Sequence, residues 1–332
     1  MYLNRYRPAA MAAAIVFLVV VSTARAETLL RWKFTAGETQ YYAISQDTVQ
    51  RMEVGEQTIK TSNNMLMDLR WHIDEVAADG TTRLTQTFDR VRLRIQGPAF
   101  DFAYDSREKK PQDGPLAAMA GMFNSLIGAK FQLKMTPRGE VVEQKIPREL
   151  IEELKKLPTP AAAFSEDDLK QLGNMTIGLA VFPEKPVETG QSWSIKRDFK
   201  LPGFGLQAVE MKFTYLGKES LAGKPLEKIG YQTQVALDLS KLLANTGMKL
   251  EPAESLIKGE IWFDAAAGQL RHVKMTQAMD LQGKLGEQDY KQQIRTTMQM
   301  RRTSKTDEAE TEKDKEDQTD ETEAEKQPAA RS

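Results

Sequence analysis

Cysteine is missing from all 332 residues. Its absence excludes a disulfide framework and a lipid-modified N-terminal cysteine, so the folded part must stand on its core alone. Histidine is nearly as scarce: His72 lies beside Arg70 and Asp74, His272 sits in LRHVK, and neither has a partner at metal-ligand spacing. A structural zinc site is thereby excluded and no cofactor is implied. The patterns G-x-S-x-G, HExxH, Walker A and EF-hand are all lacking, and Glu166, Asp167 and Asp168 fall in the first turn of an expected helix, where the dipole favours them. Catalysis would require a serine, a histidine and a carboxylate gathered by folding. An uncharacterised hydrolase is accordingly the third reading of this chain, and the leading ones are non-enzymatic.

Net charge is small as well. The total is −1; residues 303–332 hold eleven Asp or Glu against five Lys or Arg, and the first 26 residues hold three Arg, which leaves about +2 on residues 27–302. Such a balance is not a nucleic-acid footprint. The last thirty residues contain only four alanines and a proline as apolar groups and read as a disordered acidic tail. The first 26 have the layout of a secretory signal: Arg5 and Arg7, an apolar run from Ala9 to Val21, then Ala24-Arg25-Ala26. The run falls short of the roughly 20 residues that span a bilayer. The expectation is cleavage after Ala26, export to the periplasm or beyond, and no membrane span in the mature chain.

What is abundant is period-two alternation. Residues 39–54 put Tyr42, Ile44, Met52 and Val54 in one phase and Ser45, Asp47, Arg51 and Glu53 in the other. Gly55-Glu56 turns the chain, and MLMDLRWHI returns with Met65, Met67, Leu69, Trp71 and Ile73 in one phase. Ala78-Asp79-Gly80 turns it again into RLTQTFDRVRLRI. Setting Val76 opposite Thr81 brings Ile73 to Leu84 and Leu69 to Phe88. The phase then slips, and one extra residue near Asp89 restores it, placing Val91 opposite Met67 and Leu93 opposite Met65; a β-bulge is expected there. In this register Asp74 faces Arg83 and Asp68 faces Arg90, so part of the arginine row is a set of cross-strand ion pairs on a wet face. Arg92 and Arg94 face Leu66 and Asn64, stand unpaired, and are the candidate anion contacts.

Helical signals cluster between 114 and 175. GPLAAMAGMFNSLIGAK repeats Leu116, Met119, Phe123, Leu126 and Ile127 on one almost charge-free stripe after Pro115, and a helix is expected over 115–129. IPRELIEELKKL, 146–157, is an amphipathic helix with Leu150, Ile151, Leu154 and Leu157 inward, and SEDDLKQLGN follows with Ser165 as cap and Gly173 as stop. The second half returns to strands at GQSWSIKRDF, AVEMKFTYL, KIGYQTQVALDL and the hairpin around Ala265-Ala266-Ala267-Gly268. That hairpin, with Ile261 opposite Val273, sets Trp262 against His272 and Glu260 against Lys274. Trp262 and His272 form a small surface patch or, with more weight, Trp262 is covered by another element, since large sheets bury parts of both faces. Trp32, Trp71 and Trp193 belong to the core or to strand ends.

LRWKFTAGETQYY at 30–42, MTPRGEVVEQKIP at 135–147, FPEKPVETGQSW at 182–193 and FDAAAGQL at 263–270 resemble a family of exported bacterial proteins defined as a domain of unknown function. The likeness runs over most of residues 30–300 and implies no catalytic residue. By arrangement alone, long meandering strands with an apolar helix are also similar to the lipoprotein-carrier half-barrels of the periplasm.

The fold class expected is mainly β: large curved antiparallel meanders, half-barrel-like and loosely duplicated, with about three helices between 114 and 175. The domain plan is a signal segment 1–26, a first meander 27–145 carrying the apolar helix, a helical connector 146–181, a second meander 182–302, and the tail 303–332. The function expected is a non-catalytic exported envelope protein that binds an apolar ligand, a lipid or an acylated or unfolded chain, in the concave side of the sheet. Met119, Met122, Phe123, Leu126 and Ile127 would form its movable lid. The alternative is an envelope scaffold that binds a protein partner through its sheet edges or its acidic tail.

Overall fold

The computed structural model describes residues 27–108, 117–156, 180–201, 205–237, 248–251 and 253–304. The signal segment, Pro115 and Leu116, the Ser165-capped helix and the tail from residue 305 lie outside the described residues.

Among the described residues, thirteen strands and two helices follow one another as β1 Thr39–Val54, β2 Gln57–Val76, β3 Thr82–Gly97, β4 Phe100–Asp105, α1 Ala117–Leu126, β5 Lys130–Met135, β6 Val141–Lys145, α2 Arg148–Lys156, β7 Ser192–Leu201, β8 Gly205–Leu221, β9 Lys224–Leu237, β10 Met248–Leu250, β11 Ala253–Asp264, β12 Gln269–Leu285 and β13 Gln288–Thr303. All belong to one open antiparallel sheet in the order β6-β5-β3-β2-β1-β13-β12-β11-β9-β8-β7, with β4 beside β3 and β10 beside β12. The two expected meanders are therefore two halves of a single sheet, joined where β1 runs against β13 from Tyr41↔Thr303 to Val54↔Tyr290.

Apolar pairing sets the register, because a slip of one residue would turn every inward side chain outward. Ile73 faces Leu84, Leu69 faces Phe88, Met67 faces Val91 and Met65 faces Leu93, and the shift between Leu69 and Asp68 makes Asp89 the extra residue of a bulge. A second bulge falls at Asp74. It corrects the expected turn: Val76 meets Thr82, not Thr81, and Arg83 pairs with Glu75 at 3.0 Å, not with Asp74.

The two helices lie on the inward side of the first half. Phe123 of α1 stacks on Tyr104, and α1 shares an apolar cluster with Val91 and Leu93; Leu150 and Leu154 of α2 pack on Phe131. The expected helix over 115–129 ends early. Ile127 leaves it to bridge Phe88, and Gly128, at φ +79°, donates its N–H to the Phe88 carbonyl at 3.0 Å.

The centre of the fold is a wedge made by two extended segments, 28–34 and 180–187, tied by reciprocal 2.9 Å bonds between Thr28 and Val187. Trp32 has its ring centroid 6.0 Å from Trp71 on β2 and 5.4 Å from Phe263 on β11. Those strands are four places apart in the sheet order, and four strand spacings are about 19 Å in a flat sheet. One indole can touch both only because the sheet bends around it. The backbone of the wedge also clips two hairpin tips: Trp32 N–H donates to Pro137 O at 2.8 Å and Lys33 N–H to Gly268 O at 2.9 Å. Both tips need glycine. A Cβ on Gly139 (φ +91°) would stand 2.2 Å from Ala180 O, and one on Gly268 (φ +66°) 2.4 Å from the Lys33 backbone.

Trp32→Ala is expected to lower stability by about 3–5 kcal/mol, the usual range for a fully packed large aromatic. Gly139→Ala should cost well over 1 kcal/mol, through clash added to backbone strain, whereas Gly37→Ala, at a similar φ with nothing within 4 Å, should lose only the backbone share. Urea unfolding midpoints of the three variants provide the check.

Candidate functional site: the concave face

Following the ladders across β2-β1-β13-β12-β11-β9 gives the inward face as successive rows. The first reads Met67, Ile44, Met300, Val273, Ile261, Ile229 and the second Met65, Gln46, Met298, Met275, Gly259, Tyr231. The third reads Asn63, Thr48, Thr296, Gln277, Ile257, Thr233, and the fourth Thr61, Gln50, Ile294, Met279, Ser255, Val235. On these six strands, from the first row to the far turns, no described residue on this face is charged. The opposite face of the same strands carries Arg51, Asp68, Lys258, Glu260, Lys274 and Arg295.

All ten methionines of the described strands (52, 65, 67, 135, 211, 248, 275, 279, 298 and 300) point inward. Methionine is unbranched and polarizable, which suits a surface that adapts to what lies on it. Burial is tightest beside the wedge, loosens over the methionines, and returns at the far end, where Ala253, Leu281 and Tyr290 form a second buried cluster. Near the wedge Val273, Ile229, Met135 and Met300 are sealed at 0–1% exposure, whereas Met52, Met65, Met275, Met279 and Met298 are half-buried.

Tyr42, Tyr215 and Tyr290 on this face stay neutral. Burial pushes the Tyr42 and Tyr290 hydroxyls up, and Tyr215 is pushed up to about 12 by burial and by its hydrogen bond to Glu227.

The five lid residues expected from sequence are brought together, at the edge of this surface. Phe123 is buried; Met119, Met122, Leu126 and Ile127 are half-buried, and their cluster includes Met65 and Met67 of the sheet. Tyr104 O–H donates to Asn124 Oδ1 at 2.7 Å, holding α1 directly on β4. The helix forms one wall of the concave face. The larger part of that face, on β12 and β13, escaped the sequence reading, although the alternation of Ile294, Thr296, Met298 and Met300 with Arg295, Gln299 and Arg301 in 288–303 was the signal for it.

The arginine row lies on the other face and is matched. Arg90 faces Asp68 as expected, yet its guanidinium binds Asp105 of β4 at 2.6 and 3.1 Å. Asp68 lies 4.0 Å from Arg92, and Arg94 binds Asp101 at 2.9 Å. The expectation that Arg92 and Arg94 stand unpaired is corrected: Asp101 of β4 meets Arg94, and Asp105 of β4 takes Arg90, so that Asp68 of β2 lies within reach of Arg92 instead. The hydrogen bond from Arg90 holds the Asp105 carboxyl below the usual carboxylate range.

Trp262 faces His272, Ile261 faces Val273 and Glu260 faces Lys274, as expected. The tryptophan is covered, 6% exposed, by side chains of its own face: His272 meets it edge-on at 5.2 Å, Lys228 Nζ sits 5.2 Å from the ring centroid, and its N–H donates to Glu219 at 3.1 Å. Lys228 bridges Glu219 and Glu260 at 2.8 Å each, and those carboxylates, Glu219 first, raise its pKa. His72 is occupied with Thr39 Oγ1 at 3.0 Å.

Residues 79–217 match the model of a family of unknown function, DUF6263. The matched stretch runs from the turn before β3 to the middle of β8 and contains two of the four motifs quoted above, TPRGEV and FPEKPVETGQSW. No curated protein matches. Among solved structures the chain is similar to a lipovitellin described under lipid-protein interactions (TM-score 0.46, 10% identity, 82% of this chain, 26% of that one). It is also similar to DynF from the dynemicin biosynthesis pathway of Micromonospora chersina (0.20, 8%, 83% and 85%) and to OccK5 (OpdH) of Pseudomonas aeruginosa (0.25, 4%, 81% and 99%). The chain thus spans about a quarter of the lipovitellin chain, and at these TM-scores nothing about its function is read from the neighbours.

Asp105→Asn is expected to cost about 1–2 kcal/mol at neutral pH. Because the folded carboxyl titrates below its unfolded value, its contribution is complete above about pH 4 and is lost as pH falls through the folded pKa. The gap in stability between wild type and Asp105→Asn, measured by denaturant titration at pH 7 and pH 3, should therefore narrow in acid.

Proposed function

We propose that the protein is a non-catalytic carrier, exported under the direction of its first 26 residues, that holds the apolar chain of a lipid or acylated molecule against the concave face. The observation that carries this reading is the one-sided chemistry of the six central strands from the first row to the far turns: among their described residues no charge and all the methionine inward, the charges outward. A face meant only for water would not exclude every charged residue, and one meant only for a packed core would not leave Met275, Met279 and Met298 half-exposed. Half-buried apolar area is worth roughly 25 cal/mol per Å² to whatever covers it. An alkyl chain laid across a few of these methionines therefore gains several kcal/mol from burial alone, before the cost of ordering it.

The protein purified from membrane-containing cells should release lipid on organic extraction, detected by mass spectrometry, and should enhance the fluorescence of an environment-sensitive apolar dye. Met275→Lys should reduce dye binding at least tenfold, while Thr276→Lys, one residue along on the outer face, should leave it unchanged. Absence of both lipid and dye binding in the folded wild type removes the carrier reading.

A further inference from the structure

We infer that the concave face measures the chain it holds: a straight alkyl chain lies across the strands, along the second row, in a band closed at both ends that takes no more than about 19 carbons. The assignment rests on the carrier reading and adds the direction and the length of the bound chain.

The second row is half-buried at every position from Met65 on β2 to Tyr231 on β9. Beyond each end the same row is closed. Past Met65 come Leu93 of β3 and Tyr104 of β4, both buried, and Phe123 of α1 stacks on Tyr104 with ring centroids 5.8 Å apart. Past Tyr231 comes Phe213 of β8, 1% exposed, with the Tyr231 ring at 5.3 Å on one side and the Trp193 ring at 5.5 Å on the other.

The long sides are closed as well. The first row runs beside the band at 0–3% exposure from Ile44 to Ile229, and in the other direction Ala253, Leu281 and Tyr290 form the buried cluster of the far end. Between these limits lie the second, third and fourth rows, a distance of about 14 Å along the strands, against about 24 Å across the strand spacings from β2 to β9 in a flat sheet. A long chain therefore fits only crosswise. With C–C bonds near 1.5 Å an extended alkyl chain advances about 1.25 Å per carbon, so the band takes about 19 carbons when flat and fewer on the inside of a bend. Each methylene that finds no place in it forfeits about fourfold in affinity.

The test is displacement of the apolar dye from the full chain by decanol, tetradecanol and docosanol, supplied as cyclodextrin complexes. Each affinity is divided by the same alcohol's partition into phosphatidylcholine vesicles, which removes the effect of length on leaving water. The normalised affinities of decanol and tetradecanol are expected to agree within a few-fold, and that of docosanol to be at least about tenfold lower. Met298→Trp, in the middle of the row, leaves about 14 Å between β13 and β9, room for about eleven carbons, so tetradecanol should now fall at least about tenfold below decanol. Thr297→Trp, on the outer face, should change neither. Met275→Trp, which leaves the same span between β12 and β2, serves as the second variant should Met298→Trp fail to fold. Docosanol bound as well as tetradecanol after normalisation, or a length limit that neither inward tryptophan moves, overturns the assignment and leaves the carrier reading standing. Dye binding that none of the alcohols disturbs also overturns the assignment, and absence of dye binding in the wild type ends both.

Discussion

A single indole keeps this sheet bent. Trp32 touches strands four places apart, and its backbone clips the tips of the β5–β6 and β11–β12 hairpins, so the two halves cannot flatten without emptying the largest aromatic cluster of the fold. Phe34, Phe182 and Phe263 pack around it, with centroids 5.4–6.3 Å from its own. The four motif stretches meet here: LRWKF supplies the wedge, TPRG and AAAG the glycine tips that admit it, and FPEKPVETGQSW the second segment, with Trp193 Nε1 donating to Val181 O at 2.9 Å. Their shared property is the bending of a sheet.

The wedge fills one end of the hollow and leaves the other to the sheet's own side chains. Exposure rises from the sealed Val273 and Ile229 of the first row to the half-buried Met275 and Met298 of the second, and burial returns at the far end around Ala253, Leu281 and Tyr290. On the outer face the charges are matched pairwise, as with Arg90 and Asp105 or Lys228 between Glu219 and Glu260. A transmembrane barrel arranges its faces the other way, apolar outward and polar inward. This distribution suits a sheet that meets water with its convex side and an apolar, uncharged partner with its concave side.

Much of this was legible from the chain. The β2–β3 and β11–β12 registers followed from matching apolar phases, down to the bulge at Asp89 and the pairing of Trp262 with His272, because each hairpin is local and its alternation has one good solution. Long-range placement was not. β1 against β13 joins residues some 250 apart, and the short β4 carries the two aspartates that claim Arg90 and Arg94. The wedge escaped for a different reason: segments 28–34 and 180–187 form no regular element, and their hydrogen bonds go to turns whose positions depend on the finished sheet. The apolar helix is visible in the sequence, but its seat is not: α1 lies at the edge of the concave face, packed on Tyr104 and Leu93.

The central claim is that the far half of the concave face is a contact surface and the near half a sealed core. Methyl NMR of protein labelled at its methionines tests it directly, with a neutral lipid bearing a nitroxide on its chain as the probe. The account requires line broadening at Met52, Met275, Met279 and Met298, with Met135 and Met300 spared because they are buried at 0% and 1% exposure beside the wedge. Broadening confined to other methyls, or none at lipid concentrations that saturate the protein, would contradict it.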